Sequence, residues 1–201
     1  MAAAALRSGH RVTFAVNPDR AGRAAARVRS TAALEGAIVA EPRAAVAGAD
    51  LVLVALPFAA LDSALPPLAD RLAGRAVIDA TNPVGPGLRH ALGEPSGAER
   101  VAGLLPGAHI VKALNVYGAE NLGGIATAPG AAWPLMPYAG DDPAAKAAVA
   151  AFLTSLGWEP LDVGQLSAAL DLEHLALLWI RMVRMGGVDG HLVWSALRWT
   201  P

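Results

Sequence analysis

Short apolar segments alternate with helical segments along most of this chain, and this alternation limits the available folds more strongly than any other feature. The run LVLVAL (Leu51–Leu56) is apolar at every position, as expected of a parallel strand covered on both faces. Further strands are predicted at Arg11–Val16, Gly36–Ala40, Arg75–Ala80 and His109–Leu114. Strands that alternate with helices in this way predict βαβ units and a parallel sheet.

Capping residues indicate where the intervening helices begin. Asp19 is placed to cap a helix over Asp19–Val28, and Pro42 suits the first position of another. Ser96 and Glu99 have the spacing of a capping box, in which each side chain binds a backbone N–H at the helix start. Asp142, followed by Pro143, predicts the start of a later helix.

The pattern changes after Asn115. A Gly/Pro/Ala loop is predicted over Gly123–Pro134, followed by a possible strand at Leu135–Gly140. The longest helical pattern covers Ser167–Met185. Its apolar stripe, predicted to pack in the core or at a dimer interface, consists of Leu172, Leu175, Leu178, Trp179 and Met182.

Composition excludes several classes of function. The 16 Lys and Arg residues against 17 Asp and Glu give a net charge of −1, which offers no electrostatic basis for binding nucleic acid or an anionic membrane. The absence of cysteine excludes disulfides and thiolate metal sites, and the 5 histidines are too far apart for a local metal motif. The strongest apolar run, Leu51–Leu61, is shorter than the ~20 residues that a membrane helix needs. We therefore expect a soluble cytoplasmic protein without a metal.

Ligands of open parallel sheets bind beyond the carboxyl ends of the strands, so the strand ends are where a site is expected. The first strand ends at Asn17 and is followed by Asp19, Arg20 and Arg23. A carboxylate at this place would hold the ribose of NAD, whereas a basic residue would receive the additional phosphate of NADP. Arg20 is suited to pair with that phosphate, although a solvent-facing helix start would explain the arginines equally well.

Two further strand ends carry prolines. Pro57 and Pro83 end their strands because proline lacks a backbone N–H. Phe58 offers a flat apolar wall, and Thr81 and Asn82 offer a hydroxyl and an amide that could orient a nicotinamide carboxamide. The alternative is that these are ordinary strand-to-helix turns.

Residues suited to acid–base chemistry are few. Lys112 lies in or at the end of a strand, Asn115 and Tyr117 follow it, and Glu120 starts a helix. No nucleophile elbow or triad-like grouping is visible, so no catalytic residue is assigned. This pattern favours hydride transfer, in which the bound cofactors supply the chemistry and the protein supplies positioning.

Six segments occur in an order typical of one family; they read GHRVTFAVNPDR, ADLVLVALPFAAL, AVIDATNPVGPG, IVKALNVYGAENL, YAGDDPAAKAAVAAFLTSLGWEPLDVGQLSAA and LEHLALLWI. Together they resemble the NADPH-dependent coenzyme F420 reductase family, and ferric reductases of the six-transmembrane epithelial antigen type carry a related cytosolic domain. The resemblance implies a Rossmann-like, doubly wound parallel sheet over residues 1–115 that binds NADP(H). It also implies a smaller, mainly helical domain over residues 116–201 that forms the second-substrate pocket and a homodimer.

The resemblance also implies particular site residues. Asn17 and Arg20 fall where the 2′-phosphate is held; Leu56, Pro57 and Phe58 line the pyrophosphate and nicotinamide path; Asn82 and Pro83 lie beside the nicotinamide, with Asn115 at the neighbouring strand end. The implied reaction is hydride transfer between NADP(H) and a small-molecule acceptor such as coenzyme F420 or a flavin. Reduction of a small imine or ketone is one alternative, and a non-catalytic remnant of the fold is another.

Relatives begin with a strand and a Gly-x-Gly-x-x-Gly loop, and neither precedes the Arg11–Val16 strand in this sequence. We therefore expect an N-terminally truncated sheet. Such a loop supplies backbone N–H groups to the pyrophosphate, so we also expect the chain as written to bind NADPH weakly or not at all.

Overall fold

The computed structural model describes residues 1–123, 132–197 and 199. The fold is α/β, as the alternating pattern predicts. The strands are β1 (Thr13–Ala15), β2 (Ile38–Ala40), β3 (Val52–Val54), β4 (Ala76–Asp79), β5 (Val84–Gly85), β6 (Arg89–His90), β7 (His109–Lys112), β8 (Leu135–Gly140) and β9 (Glu159–Asp162). The α-helices are α1 (Ala2–Arg7), α2 (Pro18–Ser30), α3 (Pro42–Ala47), α4 (Leu61–Ala64), α5 (Ala69–Leu72), α6 (Gly97–Leu104), α7 (Pro143–Ser155) and α8 (Ala169–Arg184).

The central sheet has five strands in the order β3-β4-β7-β8-β9. All neighbours in it are parallel except β7 and β8, which are antiparallel. A separate parallel pair is formed by β1 and β2, and a short antiparallel hairpin by β5 and β6. Among the described residues, β1 pairs only with β2, and β3 only with β4. That the sheet is truncated at its N-terminal side stays a prediction.

The central sheet continues beyond residue 115. Strand β8, which the sequence predicts at these residues, pairs with β7 through Val111 opposite Gly140, and β9 then pairs with β8. A domain boundary at residue 115 stays a prediction, but the sheet itself extends across that position. Residues 124–131 of the predicted loop lie outside the described residues.

Most of the helix starts agree with the capping signals. The capping box of Ser96 and Glu99 is formed, and Asp142 accepts the N–H of Ala145 at the start of α7. The prediction that Asp19 caps α2 is wrong: Asn17 occupies the cap position, because Pro18 takes the first helical position and Asp19 lies within the first turn.

Two apolar cores cover the two faces of the sheet. One contains Leu153 of α7 and Trp179 of α8; the other contains Leu61, Leu72 and residues of α6. Helix α2 contributes no buried residue. None of the helices in the described part of the chain is long and apolar enough to cross a membrane.

Helix α8 confirms most of the predicted apolar stripe. Leu172 and Trp179 are buried, and Leu175 and Met182 are partly buried. Leu178 is 49% exposed and so does not share the buried face, while its place at a dimer interface stays a prediction. The inward face instead includes Ala176, Leu177 and, unexpectedly, Glu173.

The segment after α8 returns across the core. The Trp179 indole donates to the carbonyl of Leu192 (2.9 Å). The Tyr117 hydroxyl donates to the carbonyl of Leu135 (2.6 Å) and accepts the N–H of Trp194 (3.1 Å). Burial raises the pKa of Tyr117 to about 12 despite the hydrogen bond from Trp194, so the phenol remains neutral.

Candidate active site at the ends of β4 and β7

Two asparagines join the ends of neighbouring strands. Asn82 follows β4 and Asn115 follows β7, and the parallel pairing of these strands brings their ends together. The Asn82 amide nitrogen donates to the Asn115 carbonyl (2.8 Å). The Asn115 amide nitrogen donates to Asn82 Oδ1 (2.9 Å) and to the carbonyl of Leu172 in α8 (3.1 Å). The predicted site residues Asn82 and Asn115 therefore form one unit, which α8 also contacts.

Two buried polar atoms at this place have no partner among the described residues: Thr81 Oγ1 and Asn115 Oδ1. The orientation of the Asn115 amide is fixed, because its nitrogen faces two carbonyl-type acceptors. A buried polar atom left unpaired costs about 1–3 kcal/mol. The unpaired hydroxyl and amide oxygen are suited to accept hydrogen bonds from a ligand with N–H donors.

A fully buried lysine, Lys112, contacts the backbone of Thr81. Lys112 Nζ is 2.9 Å from Asp79 Oδ2 and 2.7 Å from Glu173 Oε1, and none of the three side chains is exposed. It also donates to the Thr81 carbonyl (2.5 Å). All three ammonium protons are therefore used, which allows a charged lysine to be buried here.

Glu173 of α8 connects several elements. Its carboxylate accepts the N–H of Gly97 (2.9 Å) and of Ala98 (3.2 Å) at the start of α6, and it lies 2.6 Å from His90 Nε2. Burial by itself would raise the pKa of this carboxyl group. The charge of Lys112 and the hydrogen bonds from Lys112, Gly97 and His90 outweigh burial and hold the pKa of Glu173 below its usual value.

The hydrogen bonds of His90 define its tautomer. Its Nδ1 atom accepts the N–H of Gly93 (2.9 Å) and therefore carries no proton. Its Nε2 atom then carries the hydrogen and donates it to Glu173 (2.6 Å). The imidazole is thus a neutral donor to a carboxylate.

Phe58 and Pro83 pack around Gly97, the first residue of α6. A Cβ atom at Gly97 would lie 3.0 Å from Phe58 Cε2, 3.1 Å from Pro83 Cδ and 2.9 Å from Glu173 Oε1. The structure therefore brings Phe58 and Pro83 together at this end of the sheet. The predicted residues Leu56 and Pro57 lie at the exposed end of β3.

Helix α2, which follows β1, carries a row of arginines along one face. Arg20, Arg23 and Arg27, together with Val16 and Ala24, line an open depression of about 430 Å³. In the part of the chain that the structure describes, no carboxylate forms an ion pair with any of these three arginines. Asn17 is exposed at the start of the same helix. A phosphate group is a suitable partner for such a row.

Glu173 and His90 are site residues that the sequence reasoning missed. A usable signal for Glu173 was present: one carboxylate between Leu172 and Leu177 on the inward face of α8. Asp79 and Lys112 gave a second signal, since each is the single charged residue of a short buried strand and the two lie opposite each other in register. His90, in a two-residue strand, had no such signal.

Residues 1–83 match the family described as NADP oxidoreductase, coenzyme F420-dependent. The crystal structure of a putative F420-dependent NADP reductase from Arthrobacter sp. is 30% identical, with a TM-score of 0.81 over 98% of this chain and 93% of that one. The chain belongs to the coenzyme F420-dependent NADP oxidoreductase family. Members of this family are NADP oxidoreductases, and the Rossmann-like fold expected from the resemblance is confirmed.

Two other reductases are also similar to this member of the F420-dependent NADP oxidoreductase family. Rat metalloreductase STEAP3 is 34% identical over 134 residues, which are 66% of this chain and 26% of STEAP3, so the chain spans about a quarter of that relative. The imine reductase of Aspergillus terreus, solved with NADPH4 and dibenz[c,e]azepine, is 27% identical, with a TM-score of 0.57 over 94% of this chain and 63% of that one. Both relatives carry the name of a reductase.

Proposed function

We propose that the chain is an NADP(H)-dependent oxidoreductase that transfers hydride between NADP(H) and a flat acceptor such as coenzyme F420 or a flavin. The observation that carries the proposal is the row of Arg20, Arg23 and Arg27 on α2, which has no carboxylate partner in the described residues. An arginine–phosphate hydrogen bond contributes about 1.5–3 kcal/mol, so this row favours NADP(H) over NAD(H).

The ends of β4 and β7 fit the nicotinamide end of the same cofactor. Thr81 Oγ1 and Asn115 Oδ1 are unpaired acceptors, and a carboxamide offers the N–H donors that they lack. When bound, NADPH supplies a hydride from its nicotinamide ring. The residues of the chain hold and orient the reactants. Phe58 and Pro83 provide apolar surface, and the Asn82–Asn115 pair orients the carboxamide of the nicotinamide.

A flat acceptor is favoured because the strand ends offer shape and polar contacts rather than an acid or base. The ammonium group of Lys112 is fully buried and its three protons are already bonded. A small imine is the second candidate acceptor, supported by the similarity to the Aspergillus imine reductase. A remnant of the fold that binds no dinucleotide is the outcome that would contradict both.

Calorimetric titration with NADPH and NADH tests the proposal. We expect Arg20→Ala to weaken NADPH binding about tenfold and to leave NADH nearly unchanged, because only NADPH carries the additional phosphate. Arg29→Ala is the matched control: it removes an arginine from the same helix that does not line the depression. Equal losses for both cofactors would contradict the phosphate assignment.

We further propose that the protein acts as a cytoplasmic homodimer. Exposed apolar side chains support an interface: Trp133 is 59% exposed and Met185 75%. Sedimentation equilibrium should give twice the 20.5 kDa mass of the chain. A monomer at micromolar concentration would contradict the dimer without affecting the proposed reaction.

A further inference from the structure

The segment of residues 83–93 begins and returns at the candidate active site. It starts directly after Asn82, in the loop that follows β4, forms the β5–β6 hairpin and leads to the start of α6. Its first N–H, on Val84, binds the Asn82 carbonyl (2.9 Å), and the N–H of Ala91 binds the Pro83 carbonyl (2.7 Å). Both ends of the hairpin are therefore held by hydrogen bonds beside the Asn82–Asn115 pair.

Side chains of α8 hold the middle of the 83–93 segment. His90 donates to Glu173 (2.6 Å), and Arg181 donates to the carbonyl of Leu88 (2.7 Å). The imidazole ring of His90 also packs edge to face against that of His174, with 5.4 Å between the ring centroids. Helix α8 thus contacts both the strand ends, through Lys112, and the hairpin beside them.

Apolar burial contributes little to the position of this hairpin. No residue of 84–93 belongs to either apolar core, and Val84 and Leu92 are 39% and 37% exposed. At its tip, Leu88 has a φ of 53°, a conformation that residues other than glycine rarely adopt. A segment with few buried apolar contacts depends on its polar anchors, so the bonds to Glu173 and Arg181 determine where it lies.

We propose that the 83–93 segment is a wall of the acceptor site and that His90 and Arg181 are positioning residues that set acceptor affinity. The inference rests on the proposed function, because it concerns the second substrate of that reaction. The segment adjoins Asn82, where the proposed function places the nicotinamide, and its exposed apolar side chains Val84 and Leu92 suit the ring system of a deazaflavin or flavin. Acceptor affinity is then set from α8, which contacts both the strand ends and the hairpin.

Amide hydrogen exchange and steady-state kinetics with 8-hydroxy-5-deazaflavin test the inference. In His90→Ala we expect faster exchange at Ala91 and Gly93, an acceptor KM raised about tenfold by loss of one charge-assisted hydrogen bond, and an unchanged NADPH Kd. His90→Gln restores a donor to Glu173 and should return the acceptor KM to the wild-type value. The Gly93 amide should still exchange fast in this variant, because the glutamine side chain places no acceptor at the position of Nδ1. Arg181→Met should raise the acceptor KM as His90→Ala does, and Arg181→Lys should raise it only slightly.

Arg100→Ala is the control, since Arg100 lies on α6 and pairs with Asp62 rather than with the hairpin. If the His90 and Arg181 variants loosen the hairpin without changing the acceptor KM, the segment is not a wall of that site. Failure of the proposed function gives a different result: the wild-type chain would not oxidise NADPH. Even then, 8-hydroxy-5-deazaflavin alone should slow exchange across residues 84–93 if the inference is right, and no such protection would overturn it.

Discussion

Glu173 Oε1 lies 2.7 Å from Lys112 Nζ, and neither side chain is exposed to solvent. This contact joins the last helix to a central strand of the sheet. Asp79 binds the same ammonium group, so two carboxylates share one lysine. The carboxylate of Glu173 is stabilised further by hydrogen bonds that it accepts from Gly97, Ala98 and His90. The position of α8 relative to the strand ends is therefore fixed by charge as well as by apolar packing.

Replacing Lys112 by methionine should be strongly destabilising. Methionine fills a similar volume but leaves the carboxylates of Asp79 and Glu173 buried without a cation. Removing one partner of a buried ion pair costs about 3–5 kcal/mol. The free energy of unfolding in urea measures the loss.

A second variant separates charge from packing. Lys112→Met combined with Glu173→Gln removes one of the two uncompensated charges and keeps a similar side-chain shape, so it should recover part of the lost stability. A loss of less than about 1 kcal/mol in Lys112→Met alone would mean that the cluster is hydrated and that the burial described here is wrong.

Stability should fall in acid partly through Glu173. Its pKa in the folded protein is lowered, so it binds protons less readily when folded than when unfolded. The stabilisation is complete above the unfolded value of about 4.3 and is lost as the pH falls through the lower folded pKa. Glu173→Gln removes this dependence, so its free energy of unfolding should fall less steeply than that of the wild type below about pH 4.3.

Asp70→Asn is the control for that titration. Asp70 also has a lowered pKa, through its hydrogen bond to Arg43, but its side chain is 61% exposed. Solvent screens such a pair, so this variant should follow the wild-type pH profile closely. Identical acid profiles for Glu173→Gln and the wild type would show that Glu173 does not titrate as described.

Gly97→Ala should disturb the site directly. The added Cβ would lie within 3.1 Å of Phe58, Pro83 and Glu173, and two of these contacts involve rings that cannot turn aside easily. Overpacking of this kind costs about 1–3 kcal/mol. Gly103→Ala on the same helix meets nothing within 4 Å and should stabilise the protein by about 1 kcal/mol. Thermal unfolding of the two variants should give shifts of opposite sign, and equal shifts would contradict the packing around Gly97.

The pattern of strands and helices was predictable from sequence because it depends on local periodicity. The capping box at Ser96 and Glu99 and the cap at Asp142 depend on side chains within three residues of each other, and both are formed. The cap of α2 was misassigned because Asn17 and Asp19 are both good capping residues, and only the position of Pro18 decides between them.

The candidate site was predictable only where it follows the strands. The ends of β4 and β7 are defined by chain order, which is why Asn82 and Asn115 could be named. Their mutual hydrogen bonds, and the bond from Asn115 to Leu172, depend on the register of the strands and the placement of α8. Glu173 and His90 are 83 residues apart, so their contact is set by tertiary structure, which periodicity does not encode.

Trp179 should be among the most important side chains for stability in α8. It is 2% exposed, and its indole N–H is bonded to the Leu192 carbonyl, so it joins the helix to the segment that follows it. Trp179→Ala removes both the packing and the hydrogen bond and should cost about 3–5 kcal/mol. Leu178→Ala, one residue away and 49% exposed, should change stability by less than about 0.5 kcal/mol. Urea unfolding of both variants tests this: a larger loss in Leu178→Ala would mean that Leu178 is covered in solution, and an unchanged free energy of unfolding in Trp179→Ala would contradict the core packing.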